Sequence, residues 1–227
     1  MKQNNKNPDW LNVHDVLPVS CVNGPGRRAV VWVQGCSKRC PGCSNPLTHS
    51  HRPHVLFAPK RLAECILTIS GIEGLTITGG EPCEQAHAVG RLCRLVRKKG
   101  LSVMLYTGWE YEDICRCDNQ AVRDMLNRID ILVDGAFVKC LEDRNLLWRG
   151  SSNQQIRFLT DRYSLDCLLW KNQLQVEGQL TPRSCLQVTG FPGKSDIKVL
   201  TERLADEAGI VLEAAEFECS VKTRQII

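Results

Sequence analysis

Through Phe158, short apolar runs alternate with longer stretches whose apolar residues recur every three or four positions. Leu11 to Ser20 reads as a first strand, and V-N-G-P-G (Val22 to Gly26) as a turn. Ala29 to Gln34 is apolar and rich in β-branched residues, as a buried strand is. Pro59 starts a helix over Lys60 to Ser70, with Leu62, Cys65, Ile66 and Ile69 on one face. Leu75 to Thr78 predicts a short buried strand. Glu84 to Lys99 predicts an amphipathic helix with Ala86, Val89, Leu92, Cys93 and Val96 on one side, ended by Gly100. Ser102 to Thr107 and Ile131 to Val133 are the next strands. Tyr111 to Asn127 between them is helical, with a break near Cys117, Asp118 and Asn119.

Strands alternating with helices, each strand a near-continuous apolar run, define an α/β protein whose parallel sheet is covered on both faces. In such sheets the chemistry gathers in loops at the carboxyl ends of the strands. Past Phe158 the period changes. Leu168 to Leu180 and Cys185 to Gly190 suggest a β-hairpin, and Ser195 caps a helix carrying Ile197, Leu200, Leu204 and Ala208. Two units are therefore expected: a core over residues 1–164, and a small C-terminal α+β extension over residues 165–227.

Composition narrows the class. The chain has 227 residues, 43% of them apolar and 24% charged, the balance of a soluble globular protein. The polar opening MKQNNKNPDW is not a signal peptide, and no apolar run reaches the length of a membrane span, so a cytoplasmic protein without membrane contact is expected. Thirteen cysteines in a chain with periodic helices read as metal ligands and buried fillers rather than a secreted disulfide framework. Net charge is +4, yet residues 1–60 hold eight Lys or Arg against two Asp or Glu. That basic excess surrounds the cysteine triplet described next and suits an acidic electron donor. Arg94, Arg97, Lys98 and Lys99 fall in the last turns of a helix, where cations complement the dipole, so nucleic acid is not expected as a partner.

Candidate chemistry begins at Cys36, Cys40 and Cys43, a C-x3-C-x2-C triplet in the loop after the second strand. Three thiolates this close can meet on one metal centre. A 4Fe–4S cluster held by three cysteines leaves one iron open to a small molecule. Structural zinc is the rival, since His49, His51 and His54 lie just downstream and offer a fourth ligand. A second motif bears on the choice: Thr78-Gly79-Gly80-Glu81-Pro82 follows the next strand, with two glycines that admit close approach to the backbone and a carboxylate suited to a cation. Cys65 and Cys93 read as core, Cys83 as packing, and Cys115, Cys117 and Cys140 lack the spacing of a second cluster, so one cluster is expected.

The pairing of C-x3-C-x2-C with G-G-E-P resembles the radical S-adenosylmethionine superfamily. GPGRRAVVWVQGCSKRCPGCSNP, TITGGEP, LYTGW, ILVDGAF and RGSSNQQI make the chain similar to one branch, the activating proteins of glycyl-radical enzymes, that of the anaerobic ribonucleotide reductase above all. The resemblance implies a partial (β/α) barrel of mostly parallel strands. It implies that Cys36, Cys40 and Cys43 hold three irons of a 4Fe–4S cluster. The fourth iron would bind the amino and carboxylate groups of S-adenosylmethionine. Gly79, Gly80, Glu81 and Pro82 would cradle the methionine part, and Thr107 and Asp134 would stand beside the cofactor. One electron would cleave it to methionine and a 5′-deoxyadenosyl radical, which takes a hydrogen atom from a glycine of a partner enzyme. No catalytic side chain beyond the cluster and cofactor site is implied, and a flavodoxin-like protein is the implied electron donor. The chain departs from the pattern at Gly42 and Ser44, where related proteins carry aromatics, so adenine is expected along the Gly42, Cys43 and Ser44 backbone. Arg149, Ser151 and Asn153 are candidate substrate-positioning residues. Two other readings stand beside this one: a radical enzyme acting on a small molecule or peptide, as carboxy-deazaguanine synthases do, and a zinc or Fe–S adaptor without catalysis.

Overall fold

The computed structural model describes residues 9–164, 176–180 and 186–190. At its centre four strands run parallel: β2 (Arg28–Val33), β4 (Gly74–Gly79), β5 (Ser102–Tyr106) and β6 (Ile131–Asp134). β1 (Leu11–Ser20) pairs antiparallel with β2 and with the edge strand β3 (Val55–Phe57), and β7 (Gln155–Phe158) closes the other edge antiparallel to β6. The sheet order is β3-β1-β2-β4-β5-β6-β7. The parallel α/β centre is as expected, while both margins are antiparallel. For β1 the reason is connection length: a parallel neighbour needs a crossover of about a dozen residues or more, usually a helix. The turn over residues 21–27 that joins β1 to β2 is too short for one. The margins β3 and β7 carry no signal of their own in the apolar pattern.

The helices α1 (Pro59–Leu67), α2 (Ala86–Arg97), α3 (Tyr111–Arg116) and α4 (Gln120–Leu126) have boundaries with local causes. α1 begins at Pro59 and stops three residues before Ser70, where the Thr68 N–H turns back to the Cys65 carbonyl at 3.3 Å. The break expected near Cys117 is real, and Asn119 restarts the helix by accepting from the Ala121 N–H at 3.0 Å. Alternate residues of β2 divide between two faces. Ala29, Val31 and Val33 pack with Leu62, Ile66, Val89, Leu92 and Val122 of the helices. Val30 and Trp32 face the other way, where Met104, Ile131 and Val133 lie under Trp148. One face is therefore covered by helices and the other in part by a loop.

At the amino edge of the parallel strands, Arg28 is 0% exposed and, among the described residues, has no hydrogen-bonded carboxylate. Its Nε donates to Thr76 Oγ1 at 2.8 Å, Nη1 to Ser102 Oγ and the Pro25 carbonyl at 2.8 and 3.1 Å, and Nη2 to the Leu75 carbonyl at 2.9 Å. Burial pulls its pKa down, which nearby Tyr163 and Asp130 partly offset.

The C-terminal hairpin is present as β8 (Val176–Leu180) and β9 (Leu186–Gly190), paired antiparallel. It is fastened to the same edge. Glu177 accepts from Ser20 Oγ and the Cys21 N–H at 2.9 Å each, and Asn23 Nδ2 donates to Thr189 Oγ1 at 2.8 Å. The helix expected after Ser195 lies outside the described residues. Among the described residues no helix is long and apolar enough to cross a membrane.

Replacing Arg28 with leucine strands several buried acceptors at once. The Arg28→Leu variant is expected to lose roughly 3 kcal/mol of stability, read from urea unfolding; a loss within experimental error would mean the buried network contributes nothing net.

Candidate metal centre and cofactor site

The cysteine triplet lies in the loop that leaves β2. Two backbone bonds seat that loop: the Gly35 N–H donates to the Thr48 carbonyl at 2.7 Å, and the Cys36 N–H to the His49 carbonyl at 3.3 Å. Within the loop the Cys43 N–H returns to the Cys40 carbonyl at 3.1 Å, a turn that Gly42 permits with φ +76°. Cys36 is buried while Cys40 and Cys43 are half-buried. Burial pushes the Cys36 thiol up, against the pull of the Arg39 and Lys38 backbone N–H groups.

The G-G-E-P loop meets the cysteine loop directly. The Gly80 N–H donates to the Val33 carbonyl and the Glu81 N–H to the Gly35 carbonyl, each at 2.8 Å. This contact explains the two glycines in a way the sequence does not suggest. A Cβ on Gly80 would stand 2.3 Å from the Gly35 carbonyl oxygen, and one on Gly79, at φ +97°, 2.8 Å from the Trp32 Cα. The glycines let two backbones approach each other.

Glu81 is 1% exposed and joins three segments. Its Oε1 accepts from the Cys83 N–H at 2.9 Å and the Thr107 hydroxyl at 2.8 Å, and its Oε2 from the Gly108 N–H at 2.8 Å. Burial pushes the carboxyl up, and these donors hold the rise in check. Thr107 thus stands beside Glu81. Its oxygen also accepts from the Trp109 N–H at 3.1 Å. Pro82 is buried and opens the short 3₁₀ turn Pro82–Gln85.

Asp134 is placed differently. It is 0% exposed, accepts from the Tyr111 N–H at 3.0 Å and is paired with Arg157 Nε at 2.9 Å. Its carboxylate anchors β6 to β7 and the start of α3. Among the described residues, one set of three acidic or Cys/His ligand atoms lies within 4.8 Å, that of Glu110, Glu112 and Asp134, and Arg157 bridges two of them.

The exposed Gly42 and Ser44 have no aromatic beside them in sequence, yet one arrives through the fold. A Cβ on Gly42 would lie 3.4 Å from the Phe137 ring and 2.9 Å from the Lys139 side chain. Sequence reasoning misses Phe137 because the whole parallel sheet separates it from the triplet along the chain. The alternation of strands and loops is the one signal for it, since it puts the loop after β6 on the same edge as the loop after β2.

The residues present fit a cluster better than zinc. Tetrahedral zinc at about 2.3 Å per sulfur would hold thiolates within about 4 Å of one another, and the three Sγ atoms are not all within 4.8 Å. His51 is engaged with Glu84 at 2.7 Å, and His54 reaches the Val13 carbonyl at 3.3 Å. His49 Nε2 is buried and, among the described residues, has no hydrogen-bond partner.

Residues 22–157 match a family described as a 4Fe-4S single cluster domain. The chain is 32% identical over 157 residues to the anaerobic ribonucleoside-triphosphate reductase-activating protein of Escherichia coli (strain K12), covering 66% of this chain and 99% of that one. It is 35% identical to the protein of that name from Enterobacteria phage T4, over 66% of this chain and 96% of that one, and 34% identical to that of Vibrio cholerae, over 66% and 99%. The chain belongs to the family of these activating proteins, radical S-adenosylmethionine proteins with a 4Fe–4S cluster.

Two tests follow from the geometry. The Gly80→Ala variant forces its methyl group against the Gly35 carbonyl and is expected to lose roughly 2 kcal/mol of stability and most of its reconstituted iron. Wild-type iron content in a folded variant would show that the two loops need not touch. Glu84 offers the second. Burial raises its carboxyl, but hydrogen bonds from His51 and the Ser37 N–H outweigh this and leave it below the ordinary 4.5. Its stabilising contribution is then present above pH 4.5 and fades as pH falls through the lowered native value. Urea unfolding of the apoprotein should find Glu84→Gln about 1 kcal/mol weaker at neutral pH, the gap closing under acid; a gap that widens in acid contradicts the assignment.

Proposed function

We propose that the chain activates an anaerobic ribonucleoside-triphosphate reductase by installing a radical on a glycine of that partner. The observation that carries this is the backbone stitching of the cysteine loop to G-G-E-P, in a chain that spans nearly the full length of the activating proteins it matches. On this reading Cys36, Cys40 and Cys43 ligate the one 4Fe–4S cluster. Gly79, Gly80, Glu81 and Pro82 line the methionine part of S-adenosylmethionine, and the Gly42, Cys43 and Ser44 backbone, with Phe137, borders the adenine. When bound, cluster and cofactor supply a one-electron cleavage to methionine and a 5′-deoxyadenosyl radical.

The chain's own residues do the holding. Glu81 and Thr107 set the spacing between the loops after β4 and β5, and Glu81 keeps lone-pair capacity for the cofactor's ammonium. Asp134 acts at one remove, tying the end of β6 to β7 through Arg157 where the loop over residues 135–139 begins. The sheet coils into a partial barrel around the site. Exposed Lys38, Arg39 and Lys139 give the cluster side a basic surface for an acidic, flavodoxin-like electron donor in the cytoplasm. Residues 1–164 form the core and 165–227 an accessory unit. The hairpin of that unit is fastened, where it is described, at the opposite edge from the cysteines.

Anaerobic reconstitution is expected to give about four irons per chain, and the reduced protein to form 5′-deoxyadenosine from S-adenosylmethionine. The Cys40→Ala variant should lose both, and a partner reductase should show a glycyl radical by electron paramagnetic resonance only with the wild type. Undiminished 5′-deoxyadenosine from Cys40→Ala, or one zinc per chain without sulfide, would sink the proposal.

A further inference from the structure

Past β6 the chain builds a second scaffold that the function has not used. The R-G-S-S-N-Q segment (Arg149 to Gln154) is stitched to the loop over residues 135–138. Gln154 Nε2 donates to the Gly135 carbonyl at 3.0 Å, and the Val138 N–H to Ser151 Oγ at 3.2 Å. Gln154 Oε1 accepts from the Gly150 and Ser151 N–H groups at 2.9 and 3.2 Å. Asn153 Nδ2 donates to the Ala136 carbonyl at 2.8 Å. That bond settles the orientation of the amide, because a carbonyl only accepts. The remaining atom of the amide is then the oxygen, an acceptor. Asn153 Oδ1 is buried and, among the described residues, has no hydrogen-bond partner.

Its position is fixed by contacts that lead back to the site. A Cβ on Gly108 would stand 3.4 Å from Glu81 Oε2, 3.2 Å from the Lys38 side chain and 3.8 Å from the Ala136 Cα. Ala136, whose carbonyl holds Asn153, therefore packs beside Gly108, which itself adjoins both Lys38 of the cysteine loop and the buried carboxylate. The neighbouring Phe137 ring reaches Gly42. Other polar groups at this edge are already engaged: the Thr107 hydroxyl with Glu81 and Trp109, and Asp134 at the end of β6 with Arg157 and Tyr111. A buried acceptor with no partner is uncommon in a finished structure and calls for a donor. The donor must reach the loop after β6, about 10 Å across two strand spacings from the G-G-E-P loop after β4.

We infer that Asn153 is a cofactor-binding residue whose Oδ1 accepts a hydrogen bond from a hydroxyl or amine on the adenosine half of S-adenosylmethionine. The inference rests on the reading that this cofactor's methionine end lies along G-G-E-P. A molecule held there extends toward β6 by its adenosine half, which carries both kinds of donor. The aromatic ring of Phe137 beside the acceptor suits a purine.

The test uses full-length, cluster-loaded protein without any partner, so a lost peptide contact cannot mimic the result. Equilibrium dialysis should find S-adenosylmethionine bound about tenfold more weakly by Asn153→Ala, as expected for one lost hydrogen bond. Displacement of the bound cofactor by 5′-deoxyadenosine should weaken in parallel, and displacement by methionine should not. Iron content and the resonance spectrum of the reduced, cofactor-free cluster should match the wild type, which a merely structural role would not allow. Asn153→Asp also loses the bond to Ala136 but keeps an acceptor oxygen, so it should bind more tightly than Asn153→Ala. The inference is overturned by unchanged affinity in Asn153→Ala, by equal losses in the two variants, or by a fall in iron content that accounts for the weakness. Intact cofactor binding with failed activation of the reductase would also overturn it, assigning the acceptor to the partner. Failure of the wild type to bind S-adenosylmethionine at all would instead remove the reading on which the inference stands.

Discussion

The arrangement of this edge depends on one buried carboxylate. Glu81 ties its own loop to the loop after β5 through its side chain, and to the loop after β2 through its backbone N–H. A carboxylate at 1% exposure is tolerable because donors from Cys83, Thr107 and Gly108 satisfy it. The same three donors make it directional, since each can be met only if the loops stand at one spacing. Glycines at positions 79 and 80 are the other half of the constraint, removing the side chains that would hold the backbones apart. From Gly108 the contact passes to Ala136, so four loops from distant parts of the chain share one neighbourhood.

The opposite edge is organised by a cation. Arg28 spends its guanidinium on neutral acceptors of β4, β5 and the β1–β2 turn, which aligns the starts of the parallel strands as Glu81 aligns their exits. Burying a charge among neutral acceptors is expensive unless its donors find partners, and here the described acceptors lie in the sheet and the turn that enters it. The C-terminal hairpin joins at this edge through Glu177 and Thr189. The relatives match only 66% of the chain. The described hairpin is thus attached away from the cysteines.

The succession of the central strands along the chain, the helix break at Cys117 and the two motif loops are legible in the sequence. Each is written in local chemistry: β-branched runs, Asn119 as a cap, turn residues after strands. The triplet and G-G-E-P can be assigned to one edge because parallel strands all point the same way. The margins are not legible. β3 spans three residues and β7 four, too short for a period to register, and their pairing is imposed by neighbours. Asp134 illustrates the limit for single residues: its place at a strand end is readable, but its engagement with Arg157 arises across strands.

By itself the sequence determined the class of chemistry, since three cysteines at that spacing and a glycine-rich loop with a carboxylate are chemical statements about ligands. It also determined the alternating architecture, because apolar periodicity is a local property of the chain. Tertiary structure alone decided which groups have capacity left for a ligand. Glu81 and Thr107 spend donors and acceptors on each other, Phe137 supplies the aromatic that Gly42 lacks, and Asn153 keeps a buried oxygen unpartnered among the described residues. Hydrogen-bond capacity is a property of neighbours, and neighbours across a sheet are set by packing rather than by order along the chain.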